Sequence, residues 1–210
     1  MGRGTEFLTR PYEIVYPNFP SIVAFNKDRF PLSRPARGFV LTGDVCTGST
    51  TLARELAQTI GVVPYLVGEE IRTVSDQLGV KWSNFPVGQL ERIYADTEKK
   101  IRESDRLVVE GRFVGNQAAD IDDIIKIICT AHPQAVLQRY MKREHIKSKK
   151  KGLIALNERL NADRSSMVSV YGGPTIGELF DRNLFDVVVD TTFSSANQIA
   201  KEIMNLIGFI

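Results

Sequence analysis

The chain has 210 residues, of which 43% are hydrophobic and 25% are charged, and its formal net charge at pH 7 is +2. This composition supplies enough apolar side chains for one folded domain and excludes a chain that is disordered throughout. So small a net charge also provides no whole-protein field that would draw the molecule to nucleic acid or to a membrane surface.

Cysteine content and hydropathy together predict where in the cell the protein is located. Two cysteines, Cys46 and Cys129, are too few for a disulfide scaffold and favour a reducing environment. No apolar run reaches the roughly 18–20 residues needed to span a bilayer, and the N-terminus lacks the pattern of a signal peptide. We therefore expect a soluble, cytoplasmic protein without a membrane partner.

Residues 1–37 are predicted to form an N-terminal arm that differs from the remaining domain at 38–210. Residues 1–7 are explained either by cloning sites in tandem or by a natural start. Residues 8–37 contain five of the nine prolines and five aromatic residues, which predicts extended chain with turns. Two interpretations stay open: the arm packs on its own domain, or it docks a protein partner.

Strands and helices alternate along the chain from Gly38 onward. Short apolar runs predict strands at 38–42, 62–66, 106–110, 123–129 and 185–190. Apolar residues at helical spacing predict helices at 50–60, 69–78, 89–104, 133–145, 153–170 and 195–207. This order predicts an α/β three-layer sandwich, with a parallel sheet and helices on both faces.

A glycine-rich loop separates the first of these strands from the first helix. It reads Gly43-Asp-Val-Cys-Thr-Gly48-Ser49-Thr50 and matches the P-loop template G-x-x-x-x-G-K-[S/T] at Gly43, Gly48 and Thr50. Such a loop directs backbone N–H groups inward, and the helix N-terminus adds about half a positive charge. The segment, namely Gly43, Asp44, Val45, Cys46, Thr47, Gly48, Ser49, Thr50 and Thr51, is predicted to bind ATP, with Thr50 binding Mg²⁺.

Ser49 is the one departure from the template. It stands where a lysine would reach the β- and γ-phosphates, and a hydroxyl cannot neutralise the charge on a transferring phosphoryl group. Loss of one preorganised donor typically costs about 10²–10³ in rate, and loss of a full cation roughly 10³–10⁵. The loop therefore predicts phosphate binding better than it predicts catalysis.

The loop and several later segments together resemble the cytidylate kinase branch of the nucleoside monophosphate kinases, particularly the short archaeal-type enzymes. The segments that carry the resemblance are Thr51-Leu-Ala-Arg-Glu-Leu-Ala57, Val67-Gly-Glu-Glu-Ile-Arg72, Val109-Glu-Gly-Arg112, Arg139-x-x-x-Arg143, Asp163-Arg164 followed by Tyr171-Gly172, and Asp186-Val-Val-Val-Asp190-Thr. The resemblance covers about residues 38–207. No single later segment is specific, but the ordered set is.

The resemblance implies a reaction and a set of site residues. The γ-phosphate of Mg·ATP would pass to a nucleoside monophosphate, CMP or dCMP above all. The acceptor side would contain Arg72, Glu110, Gly111 and Arg112. A small helical lid at about 142–165 would close on the phosphates, and Arg139, Arg143 and Arg164 would join Arg112 in catalysis.

Six of the ten residues at 142–151 are Lys or Arg. One interpretation is a solvated face or a nucleic-acid patch. The other is that Lys147, Lys149 or Lys150 of the lid replaces the cation missing at position 49. The run lacks interleaved aromatic residues, so nucleic-acid binding ranks last among the functions considered.

Two functions stay open from the sequence. The retained arginines and Glu110 favour an active nucleotide kinase. Ser49 and the additional arm favour a catalytically degenerate relative, a pseudokinase that binds nucleotide or serves as a structural subunit of a larger assembly.

Overall fold

The computed structural model describes residues 21–26, 35–81, 84–171 and 180–208, and at 164–171 and 182 it describes the backbone only. Six strands form one sheet in the spatial order β1-β6-β5-β2-β4-β3. Their bounds are Ile22–Phe25 (β1), Gly38–Gly43 (β2), Tyr65–Leu66 (β3), Leu107–Glu110 (β4), Ile124–Thr130 (β5) and Val187–Asp190 (β6).

The centre of the sheet is parallel. Strand β2 lies between β5 and β4, with Val40 opposite Lys126 on one side and Val109 on the other. All six residues of β2 and six of the seven in β5 are buried. Strands that are covered on both faces consist of continuous apolar runs, and this is why the sequence predicted β2 and β5.

Strand β1 is a correction to the predicted parallel sheet. Ile22–Phe25, which the sequence assigned to the arm, pairs antiparallel with β6 at the edge of the sheet. Next to it, the Ser21 N–H donates to Glu202 Oε2 at 3.0 Å, which ties this edge to the C-terminal helix. Residues 8–20 and 27–34 of the predicted arm lie outside the described residues.

Helices cover both faces of the sheet, which confirms the three-layer α/β prediction. Their bounds are Ser49–Ile60 (α1), Val67–Leu78 (α2), Val87–Glu103 (α3), Val114–Gln117 (α4), Pro133–Arg143 (α5), Lys149–Tyr171 (α6) and Ala196–Leu206 (α7). Helices α1 and α7 bury their apolar faces on one side of the sheet. Helices α2, α3 and α4 do so on the other.

Helix α3 shows how the sequence pattern becomes a buried face. Its predicted inward residues, Leu90, Ile93, Tyr94, Thr97 and Ile101, are all buried. They recur at spacings of three and four, so one stripe of the helix faces the sheet while the charged residues face solvent.

Helices α5 and α6 form a separate apolar cluster beside the glycine loop. Leu137 and Tyr140 of α5 pack with Leu156 of α6 and with Val45 of the loop. A Cβ at Gly152 would lie 2.5 Å from Met141 Cγ, so the two helices can approach this closely only because residue 152 is glycine. None of the described helices is long and apolar enough to cross a bilayer.

Candidate active site

The loop between β2 and α1 has the backbone bends that its glycines predicted. Gly48 has a φ of 88° and Cys46 a φ of 60°, both in the left-handed region that L side chains rarely adopt. The Asp44 carbonyl accepts hydrogen bonds from the Thr47 N–H at 3.2 Å and the Thr47 hydroxyl at 2.8 Å. A Cβ at Gly43 would lie 2.3 Å from that hydroxyl, so the turn requires glycine there.

The first turn of α1 faces the cleft. Ser49, Thr50 and Thr51 line it, and the N–H groups of a first helical turn have no partner within the helix. No described side chain caps Gly48, and the first turn carries no acidic residue. The backbone N–H groups at a helix N-terminus carry partial positive charge, so this end of α1 suits an anion.

Ser49 contacts a carboxylate across the cleft. Its side chain is buried, with 5% of the residue exposed, and its hydroxyl donates to Glu110 Oε1 at 2.8 Å. Burial raises the pKa of Glu110, while hydrogen bonds from Ser49 and Thr50 and the charges of Arg112 and Arg72 act in the opposite direction. A desolvated carboxylate beside the loop is thus balanced by hydroxyl donors and two guanidinium groups.

The raised pKa of Glu110 leads to a prediction for stability. The folded protein binds more protons than the unfolded chain between the ordinary value of 4.5 and the higher folded-state value, so Glu110 makes stability fall as pH rises through that window. In Glu110→Gln this part of the pH dependence should be lost. Urea unfolding of both proteins from below 4.5 to neutral pH, with the exposed Glu91→Gln as control, measures it. If the free energies of unfolding of the wild type and Glu110→Gln differ by the same amount at every pH, Glu110 is not the source of the pH dependence.

Arg112 lies one residue beyond Gly111 at the carboxyl end of β4 and joins three elements. Its Nη2 lies 3.1 Å from Asp44 Oδ1 in the loop and 2.7 Å from Asp163 Oδ2 in α6. Arg159 also bonds Asp163 Oδ2, at 3.0 Å, and the Asp163 side chain is only 4% exposed. The cluster of Arg112, Asp44, Asp163 and Arg159 therefore connects the segment after β4, the loop and helix α6 through three contacts between guanidinium and carboxylate groups.

Arg72 and Arg143 are the exposed arginines of the cleft. Arg72 in α2 has a side chain 66% exposed, with Glu69 Oε1 at 3.7 Å. Arg143, at the end of α5, bonds Glu144 at 2.8 Å and lies over the Tyr140 ring at 5.3 Å. Both guanidinium groups can therefore reorient toward a bound anion without breaking a buried contact.

Arg139 has a different environment from the one that its predicted lid role implied. Its Nη1 donates to the Cys46 carbonyl at 3.3 Å and to the Thr191 hydroxyl at 2.9 Å, and its Nη2 to the Thr191 carbonyl at 2.5 Å. Three N–H groups are thus engaged by the loop and by the segment after β6.

One cleft of about 980 Å³ gathers most of the predicted site. Its walls contain Gly43, Asp44, Val45, Cys46, Gly48, Ser49, Thr50, Thr51, Arg72, Glu110, Gly111, Arg112, Arg139 and Arg143. Thr47 is buried within the loop instead. The side chain of Arg164 lies outside the described residues. Lys147, Lys149 and Lys150 are exposed and are not among the wall residues, so in this structure none of them takes the place of a lysine at position 49.

The wall residues that the sequence did not single out as site residues include Arg159, Asp163 and Thr191. Asp163 lies four residues after Arg159 on α6, a spacing that does predict a helical ion pair. Thr191 follows β6, and polar residues just beyond parallel strands mark the ligand edge of an α/β sheet. Both signals were present, but neither is specific by itself.

The loop offers oxygen donors that fit a magnesium ion carried by a nucleotide. The Thr50 hydroxyl and the Glu110 carboxylate lie together there. Among the residues the structure describes, no group of three or more His, Cys, Asp or Glu could hold a metal. Mg²⁺ usually binds one or two protein oxygens together with substrate phosphates, and this donor set fits that arrangement.

Comparison with known proteins agrees with the geometry. No protein-family model matches the chain. It is 27% identical to the cytidylate kinase of Thermococcus sibiricus over 171 residues, which cover 76% of this chain and 82% of the relative. It is 26% identical to the cytidylate kinase of Pyrobaculum arsenaticum over 168 residues, 75% and 85% of the two chains.

Two solved structures share the fold. An uncharacterized protein from Eubacterium ventriosum superimposes with a TM-score of 0.60 at 16% identity, covering 81% of this chain and 98% of that one. Shikimate kinase from Acinetobacter baumannii gives 0.54 at 16% identity, covering 83% and 94%. This chain has the fold of the P-loop kinases. Its distant cytidylate kinase homologues support a nucleotide-kinase-like function, with Ser49 as the main departure from the P-loop pattern.

Proposed function

We propose that this P-loop kinase-like protein transfers the γ-phosphoryl group of ATP to a nucleoside monophosphate. One observation carries the proposal: the phosphate-binding loop and the acceptor side meet in a single cleft. Ser49 bonds Glu110 at 2.8 Å, and Asp44 bonds Arg112 at 3.1 Å. Two anions bound on either side of these contacts would be within reach of one another, and phosphoryl transfer depends mainly on such positioning.

The donor nucleotide would be held by the loop. The first-turn N–H groups of α1 and the backbone of Gly43–Thr50 bind its phosphates, and Thr50 with Glu110 provides oxygen ligands for Mg²⁺. When bound, Mg·ATP supplies the phosphoryl group and neutralises part of the charge that develops on it.

The acceptor phosphate would be bound by Arg112 and Arg72. A guanidinium fork binds phosphate oxygens in pairs, and the buried Asp163 carboxylate fixes the direction of the Arg112 fork. Arg72 is exposed and would rotate onto the phosphate from α2. Glu110 lies between the two sides, close to the acceptor oxygen or the metal.

Arginines would supply the charge that Ser49 does not. Five arginines and four carboxylates line the described walls of the cleft, and no lysine does. In the proposed reaction Arg143 turns from Glu144 to the transferring group, and Arg164 of the lid joins it. Guanidinium groups aimed at developing negative charge are a recurrent source of rate in phosphoryl transfer.

CMP or dCMP is proposed as the acceptor because the relatives matched in sequence are cytidylate kinases. The test is an assay of acceptor-dependent ADP release with CMP, dCMP, UMP and AMP. We expect turnover with CMP or dCMP above that with the other two. A reaction without acceptor serves as control, because it measures plain ATP hydrolysis.

A second candidate function is favoured by the contact of Ser49 with Glu110. Among the residues that the structure describes, no lysine lines the cleft, so the same cleft could bind nucleotide without turning it over, as a regulatory or structural subunit. If calorimetry detects ATP binding but no ADP forms with any of the four acceptors, this second function would be identified and the first refuted.

A further inference from the structure

The loop is held from behind by two side chains that the proposed transfer step does not use, Thr191 and Arg139. Thr191 is the first residue after β6 and is 5% exposed. Arg139 lies on α5. Although both are far from the loop in sequence, together they contact three of its consecutive residues, Cys46, Thr47 and Gly48.

The Thr191 hydroxyl is the centre of this arrangement. It donates to the Thr47 carbonyl at 2.5 Å and accepts from Arg139 Nη1 at 2.9 Å. The Thr130 carbonyl is the alternative acceptor but lies farther away, at 3.2 Å. The single hydroxyl proton of Thr191 therefore points to the Thr47 carbonyl. A Cβ at Gly48 would lie 3.2 Å from the same hydroxyl, so Thr191 also forms a close wall against that residue.

These contacts fix the direction of the loop amides. The carbonyl of one residue and the N–H of the next share a planar trans peptide and point to opposite sides of it, and the described chain has no cis peptide bond. Holding the Thr47 carbonyl outward therefore turns the Gly48 N–H inward. Holding the Cys46 carbonyl outward, through Arg139, turns the Thr47 N–H inward, where it bonds the Asp44 carbonyl.

We propose that Thr191 and Arg139 are positioning residues that set the affinity of the loop for a nucleoside triphosphate. Ser49 provides no ammonium, so the bound phosphates depend on backbone donors to a greater extent than in a loop with lysine. Donors that are already oriented need no reorganisation when the anion binds. This inference rests on the donor half of the proposed function, namely that the loop binds ATP.

The test compares Thr191→Val, which keeps the side-chain shape but removes the hydroxyl, with Thr191→Ser, which keeps the hydroxyl. Thr192→Val is the matched control, because the Thr192 hydroxyl accepts from the His132 N–H at 2.7 Å and not from the loop. We expect Thr191→Val to weaken Mg·ATP binding about tenfold, the equivalent of one hydrogen bond lost. Thr191→Ser and Thr192→Val should bind as the wild type does.

A second measurement separates loop order from overall stability and needs no nucleotide. Amide exchange in the ligand-free protein should quicken in Thr191→Val at Thr47 and Leu52, whose N–H groups donate to the carbonyls of the loop residues Asp44 and Gly48. Exchange in the central strand β5 should stay unchanged. Arg139→Lys should show the same loop effect, because one ammonium cannot reproduce a fork that reaches both Cys46 and Thr191.

The outcomes are distinct. Unchanged ATP affinity and unchanged loop exchange in Thr191→Val would overturn the inference, as would an equal loss in Thr192→Val. A general rise of exchange across β5 would assign Thr191 to fold stability alone and would also overturn it. A wild type that binds ATP but transfers no phosphoryl group would refute the proposed transfer and leave this inference standing, whereas a wild type that fails to bind ATP would refute both.

Discussion

Arg112→Gln is expected to lower kcat/KM for the nucleoside monophosphate by about 10³-fold, the largest loss from any single substitution in this protein. An arginine that stabilises a transferring phosphoryl group contributes roughly 10³–10⁵ in rate, and we expect the lower end of that range for Arg112 because it would bind the acceptor phosphate. Glutamine removes both the charge and the paired donors. Of the two guanidinium groups that contact the buried Asp163 carboxylate, only that of Arg159 would remain. Helix α6 would therefore lose part of its connection to the loop.

Steady-state kinetics, with the concentrations of ATP and of the nucleoside monophosphate varied in turn, test this prediction. The KM for the acceptor should rise and kcat should fall, while ATP binding changes little. Arg112→Lys should recover only part of the loss, because an ammonium restores the charge but not the planar fork. Arg102→Gln is the matched control, since Arg102 pairs with Glu98 and Asp120 on the exposed side of α3. Equal kinetics for Arg112→Gln and Arg102→Gln would show that Arg112 has no part in the reaction.

Ser49→Lys is expected to raise kcat by roughly 10³, the lower end of the range for a full cation. In the P-loop pattern, position 49 is occupied by the lysine that reaches the β- and γ-phosphates, and the remainder of the cleft already contains the glycine loop, the N-terminus of α1 and the arginines proposed to bind the acceptor. A lysine there adds a cation that moves with the phosphoryl group. It would also lie beside Glu110, whose carboxylate now accepts from the Ser49 hydroxyl, and the new charge should lower the pKa of that carboxyl.

Ser49→Ala is the control that removes the hydroxyl without adding charge. We expect it to be no faster than the wild type, so that a gain in the lysine variant is attributable to the cation. The assay is acceptor-dependent ADP release at saturating ATP. If Ser49→Lys binds ATP and remains as slow as Ser49→Ala, then the missing lysine is not the limiting feature of this site, and the nucleotide-binding function without transfer is favoured.

The elements that the sequence predicted well are those defined by a local repeat. The five inward residues of α3 were read from their spacing, and all are buried. The end of α1 was read from Gly61, which adopts a φ of 72° and caps the helix. A periodic stripe or a glycine in the left-handed region depends on residues within one or two turns of chain, so the information is present locally.

The elements that the sequence missed have no such repeat. Strand β1 has four residues in a proline-rich stretch and exists because β6 offers it an edge. Helix α4 has four residues and contains Gly115, where a Cβ would lie 2.4 Å from Phe185. Both are too short for a period to be visible, and both are determined by what they pack against.

The candidate site divides in the same way. The loop glycines, Thr50 and the Glu110–Arg112 segment were found because they belong to short motifs with a backbone reason for their spacing. The contact of Thr191 with Thr47 joins residues 144 positions apart, and that of Arg112 with Asp163 joins the segment after β4 to helix α6. The two partners of each contact are too far apart in sequence for a local motif to contain both, so the sequence could not predict either contact.

The sequence by itself determined the alternation of strands and helices, the position of the glycine-loop bend and the absence of a lysine at residue 49. Each follows from a period, a glycine or a residue identity, which act over a few residues. Only the tertiary structure decided that Ser49 bonds Glu110 and that Arg139 and Thr191 support the back of the loop. These contacts exist because the parallel strands bring the carboxyl ends of β2, β4 and β6 to one edge of the sheet, where chain segments distant in sequence become neighbours.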